Sequence, residues 1–186
     1  QQRWTPNYRY KDLLPIVYKR LAEEWGVLAS VQECQDYGRS VEKWPAFSDS
    51  VDALHYLKQH YKLIILSNVD NQSFAHSNAR LDVEFDATIT AEDVGSYKPS
   101  DRNFEYMLEK LAALGIEKNQ ILHTAESMFH DHVPGKRHGL ASCWIYRRHD
   151  QQGFGATMNP GQLPQVDFRF NSMADLAQAH REALEG

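Results

Sequence analysis

The spacing of apolar positions changes partway along the chain. Within residues 11–25, Leu13, Leu14, Val17, Leu21 and Trp25 recur at helical intervals and predict an amphipathic helix that Gly26 stops. Pro15 fits such a helix only in its first turn, where its missing N–H costs nothing. Ser30 followed by Glu33 has the capping-box pattern, so a second helix is predicted from there through about Tyr37. After the loop "WPAFSDS", Ser50 caps a third helix over roughly 51–60, with Leu54 and Leu57 inward.

From residue 62 the pattern alternates between two periods. "KLIILSN" (62–68) is a short unbroken apolar run, as expected of a buried parallel strand. A helix is predicted at about 72–80 and a strand at "FDATITA" (85–91). Residues 101–114 put Phe104, Met107, Leu108, Leu111 and Leu114 on one helical face, closed by Gly115. Then follow a strand "QILHTA" (120–125), a short helix 131–139, a strand "ASCWIYR" (141–147), a Gly- and Pro-rich loop, a strand "VDFRFNS" (166–172) and a helix 173–184. Strands alternating with helices imply an α/β fold with a parallel sheet and helices on both faces, and the purely helical first 50 residues read as a separate lobe.

Composition narrows the classes. The chain has 186 residues, 42% of them hydrophobic and 24% charged, which suits a globular core. A net charge of -5 without any Lys/Arg-rich block argues against a nucleic-acid partner. No apolar run reaches membrane-spanning length, so no membrane partner is expected. Cys34 and Cys143 read as two free thiols in a reducing, cytoplasmic setting. The opening "QQRW" reads as the middle of a protein rather than as a start or a signal peptide.

In open α/β sheets, ligands bind off the carboxyl ends of the strands. The first strand ends with Ser67 and Asn68, the second leads to Lys98, and the third ends with Glu126 followed by Asp131. A hydroxyl, an amide, an ammonium and two carboxylates at one edge would suit a small anionic substrate, and the two acids would suit Mg²⁺. Each signal has a plainer reading: a helix cap for Ser67-Asn68, a solvated turn for Lys98, helix-start acids for Glu126 and Asp131. His130 and His132 flank Asp131 but lack further zinc ligands at suitable spacing, and read as surface or helix-capping side chains. Trp4, Tyr8, Tyr10, Trp44 and Phe47 are candidates for a pocket lining, with simple packing as the plainer reading.

Taken in this order, the motifs resemble the haloacid dehalogenase-like hydrolase superfamily, type II 2-haloacid dehalogenases most closely. "ILSNVDN" is similar to the family's second motif, "GSYKPS" to the third and "HTAESMFHDHVPGKRHGL" to the fourth. The resemblance implies a Rossmann-like core (48–186) with a small helical cap (1–47) and an aspartyl-ester intermediate. It assigns Ser67, Lys98 and Asp131 to catalysis, Asn68 to substrate oxygens, and Glu126 with Asp131 to a metal.

The first motif, an apolar strand with Asp and then Gly-Thr, is not among these residues. Its strand is expected at the centre of the sheet, so the 186 residues alone are expected to be inactive. The fourth motif also departs from the dehalogenase pattern: Glu126 stands where Ser is usual, Met128 where Asn is usual, and Phe104 replaces a frequent Tyr. Dehalogenase chemistry implies no metal, whereas the acid pair resembles that of Mg²⁺-dependent phosphatases. A small-molecule phosphatase and a non-catalytic remnant that binds a ligand or partner are the alternatives. Cap-bearing members of the family are often dimeric, so the resemblance admits a homodimer among the assemblies open to this chain.

Overall fold

The computed structural model describes residues 2, 5 and 7–186. Its elements in chain order are α1 (Tyr10–Glu24), α2 (Val31–Ser40), α3 (Ser50–Lys58), β1 (Ile64–Ser67), α4 (Asn71–Leu81), β2 (Ala87–Thr90), α5 (Ala91–Val94), α6 (Asp101–Ala113), β3 (Leu122–Ala125), a π-helical turn (Met128–His132), α7 (Val133–Arg137), β4 (Ala141–Ile145), β5 (Phe168–Phe170) and α8 (Met173–Glu185). Every strand pairing is parallel, giving an α/β fold. The chain divides into two compact units, one of residues 1–51 with 62–97, the other of 52–61 with 98–186.

In the first unit, β1 pairs with β2 from Ile64 opposite Ala87 to Ser67 opposite Thr90. Among the described residues β1 carries no ladder on its other edge, and Ile64, Ile65 and Leu66 are only half-buried. An apolar run fit for a fully enclosed strand thus lies at a sheet edge. Leu13, Ala91 and Tyr97 form a core cluster, and the Tyr97 hydroxyl donates to the Tyr8 carbonyl at 2.6 Å.

The helix ends follow the sequence signals closely. Ser30 and Glu33 form the capping box of α2. Gly26 adopts φ +69°, and the Val27 N–H returns to the Ala22 carbonyl at 2.8 Å, closing α1 as a left-handed glycine cap does.

Two expectations for α1 are corrected. Pro15 lies inside the helix, beyond its first turn, so the Lys11 carbonyl four residues earlier has no Pro15 N–H to accept. Gly38 of α2 packs into that notch: a Cβ there would lie 2.8 Å from Pro15 Cγ and 3.0 Å from the Lys11 carbonyl oxygen. Trp25, expected inward, is 72% exposed because the helix ends at Glu24 and the cap swings it out.

In the second unit the strand order is β3-β4-β5, and β3 is an end strand among the described residues. Phe104, Met107 and Leu111 of α6 are buried as expected, whereas Leu114 stands exposed where Gly115 turns the chain away. Cys143 in β4 is fully buried, and burial pushes its thiol up to about 11; Cys34 of the first unit is buried and free as well. No helix among the described residues is long and apolar enough to cross a membrane.

Candidate functional site

The second unit brings together residues far apart in sequence. Lys98, in the turn after Gly95 and Tyr97, reaches Asp131 with its Nζ 2.6 Å from Oδ1. Both side chains are 9% exposed. A third partner arrives from β3: His123 Nε2 lies 3.2 Å from the same Oδ1. An ionised carboxylate only accepts hydrogen bonds, so the His123 Nε2 carries a hydrogen and donates it.

Asp131 is aimed by the π-helical turn. The His132 N–H reaches the Ser127 carbonyl at 3.2 Å, one residue farther back than an α-helix allows, and the Asp131 N–H shares that carbonyl at 3.1 Å. The Ser127 hydroxyl accepts the His130 N–H at 3.1 Å and so caps the turn. Periodicity predicted a helix beginning at 131; instead Asp131 lies within a π-helical turn over Met128–His132, and α7 begins at Val133.

Burial pushes the Asp131 carboxyl up, but the Lys98 ammonium and the His123 hydrogen bond outweigh it and hold the group well below the usual carboxylate range. Glu126 behaves oppositely. Its partial burial and the negative charge of Asp131 raise it, against a lowering by the Arg148 guanidinium. Its backbone carbonyl accepts the Trp144 indole N–H at 2.9 Å, which fixes the chain at the end of β3.

Glu126 and Asp131 are the two acids of this segment that would face a cation if one were bound there. One oxygen of Asp131 is already committed to two N–H donors. Among the described residues no three His, Cys, Asp or Glu side chains are grouped to hold a metal ion. His132 is buried, not a surface residue, with Nε2 2.9 Å from the Ala125 carbonyl, while His130 Nδ1 meets the Ser127 hydroxyl at 3.1 Å.

Ser67 and Asn68 close β1 in the first unit, half-buried, with the Asn68 amide donating to the Gln2 side chain at 3.5 Å. Of the candidate aromatics, Tyr10 and Trp44 meet edge to face at 6.3 Å, Tyr8 and Phe47 are largely exposed, and Trp4 lies outside the described residues. Sequence reasoning overlooked His123. It sits mid-strand in "ILHTA", where a polar residue among apolar ones was the available signal.

The model of the haloacid dehalogenase-like hydrolases matches residues 9–124. Over 104 residues the chain is 35% identical to the (S)-2-haloacid dehalogenase of Pseudomonas sp. (strain YL), which covers 54% of this chain and 43% of that protein. Over 85 residues it is 29% identical to pyrimidine 5'-nucleotidase YjjG of Escherichia coli (strain K12), covering 45% of this chain and 37% of that one. The matched stretch thus spans less than half the length of either curated relative. The L-2-haloacid dehalogenase of Xanthobacter autotrophicus superposes with a TM-score of 0.75 at 16% identity, over 94% of this chain and 77% of its own. At that identity the likeness is one of fold, and it is the Rossmann-like fold expected from the motifs.

Proposed function

Since the chain belongs to the haloacid dehalogenase-like hydrolases, we propose that the whole protein is a 2-haloacid dehalogenase-like enzyme acting on a small anionic substrate through an aspartyl ester. The observation that supports this most is the buried contact of Lys98 with Asp131, one from each of two family motifs. In this reading an aspartate carboxylate attacks the carbon bearing the halogen, and the carbon–halogen bond breaks as halide leaves. Water then adds to the ester carbonyl, and the aspartyl–oxygen bond breaks to release a 2-hydroxy acid. Lys98 neutralises the carboxylate nucleophile, Asp131 keeps Lys98 in place, Ser67 orients the nucleophile or substrate, and Asn68 binds substrate oxygens. In this reading residues 1–47 are the helical cap region and 48–186 the core, and the enzyme is cytoplasmic and homodimeric.

A second reading draws on Glu126. Glu126 is half-buried and feels the charge of Asp131, and one relative is named a nucleotidase. Here Glu126 and Asp131 would hold Mg²⁺, which when bound offsets charge on phosphate oxygens. The full-length protein decides between them. Halide release from 2-chloropropionate without Mg²⁺ is the expected result; phosphate release from p-nitrophenyl phosphate only with Mg²⁺ would replace it with the second reading.

A further inference from the structure

We propose that His123 positions Asp131 for Lys98, as the rigid member of a three-residue unit whose catalytic consequence rests on the function proposed above. Two donors converge on one oxygen, Asp131 Oδ1, and they differ in kind. Lys98 reaches Oδ1 at the end of a four-carbon stem with more rotatable bonds than an imidazole. The His123 side chain is 10% exposed, the Phe104 ring stands edge-on at 5.4 Å, and His132 lies at 6.2 Å.

The backbone of Asp131 is anchored separately, through the Ser127 carbonyl. What remains free is the rotation of its carboxylate. The Nε2–H of a ring locked by its walls fixes that rotation, and the ammonium then occupies the same oxygen. A merely space-filling residue would need the walls but not the nitrogen directed at Oδ1.

The test uses the full-length protein and three substitutions. His123→Phe keeps the ring and removes the donor. His123→Gln places an amide nitrogen near the position of Nε2. His123→Asn stops short of Asp131. Brief acetylation followed by peptide mass spectrometry reports how readily the Lys98 amine is reached. Removal of the donor should speed Lys98 modification by roughly threefold or more through local opening of the contact. His123→Asn should match His123→Phe, and His123→Gln should match the wild type. In whichever assay the wild type is active, kcat should fall roughly ten- to hundred-fold in the Phe and Asn variants with KM nearly unchanged, because a displaced Lys98 costs orientation rather than binding. The Gln variant should recover most of that loss.

Unchanged Lys98 modification in folded Phe and Asn variants overturns the proposal, as does a Gln variant no better than Phe. If Phe fails to fold, Asn against Gln makes the same comparison. A wild type that releases neither halide nor phosphate refutes the proposed function, while the acetylation result still decides the role of His123.

Discussion

Lys98 and Asp131 form a buried ion pair in which a single carboxylate oxygen, 2.6 Å from Nζ, also receives an imidazole N–H. Removing one partner of such a pair strands the other charge away from water. Lys98→Met is therefore expected to cost about 3–5 kcal/mol of stability. Urea unfolding of the variant beside the wild type measures it; a loss below about 1 kcal/mol, the range of a surface pair, would contradict the burial argument.

The pH dependence follows from the direction of the Asp131 shift. Its folded-state carboxyl lies below the ordinary value of 3.8, so the stability it contributes is full above that value and is lost as pH falls through the lower, folded one. Between pH 7 and pH 5 the stability difference between wild type and Asp131→Asn should stay flat, then shrink below about pH 4. Thermal melts of both proteins across that range give the curve.

Glu126 should show the opposite sign. Its carboxyl is raised above 4.5, so its charged form weakens the fold at neutral pH and the penalty disappears once the group is protonated in both states. Glu126→Gln should melt higher than wild type at pH 7 and equal to it well below pH 4.5. A lower melting temperature at pH 7 would show that Glu126 is held by a favourable partner instead.

Two helical glycines should respond differently to alanine. At Gly38 the new methyl would enter the notch formed by Pro15 and the Lys11 carbonyl, with contacts of 2.8 and 3.0 Å, and overpacking there should cost about 1–3 kcal/mol. At Gly135 the nearest atom is 3.5 Å away, so Gly135→Ala should be neutral or gain up to about 1 kcal/mol from helix propensity. Equal destabilisation at both positions would mean that helix geometry, rather than the Pro15 contact, sets the cost.

Cys34 and Cys143 are both buried, and the Cys143 thiol is pushed up to about 11. Neither should react with a thiol reagent such as dithiobis-nitrobenzoate until the protein unfolds. Two equivalents appearing together in urea, in step with loss of helix, is the expected trace; fast reaction in buffer would place a thiol at the surface.

Much of this arrangement was legible in the sequence. The Ser30–Glu33 capping box and the closing glycines, Gly26 and Gly115, mark helix ends through local backbone chemistry that needs no tertiary context. Lys98 and Asp131 stood out through their order after successive predicted strands and the motifs that order resembles. The π-helical turn was not legible, since one extra residue in a five-residue turn leaves no periodic trace. Pro15 was expected in the first turn, and its packing against Gly38, a residue of another helix, leaves no trace in the local pattern. His123 was missed for the same kind of reason: its partner Asp131 lies eight positions ahead, beyond a turn whose geometry the pattern did not give.

The register of β3 on β4 sets His123 opposite Ser142. Side chains alternate across a sheet, so a slip of one residue would send the imidazole to the other side and bring Thr124 in its place. Threonine is too short to span the gap, and a carboxylate enclosed by protein would keep only its ammonium. The register of two strands thus decides whether the buried carboxylate has two donors or one.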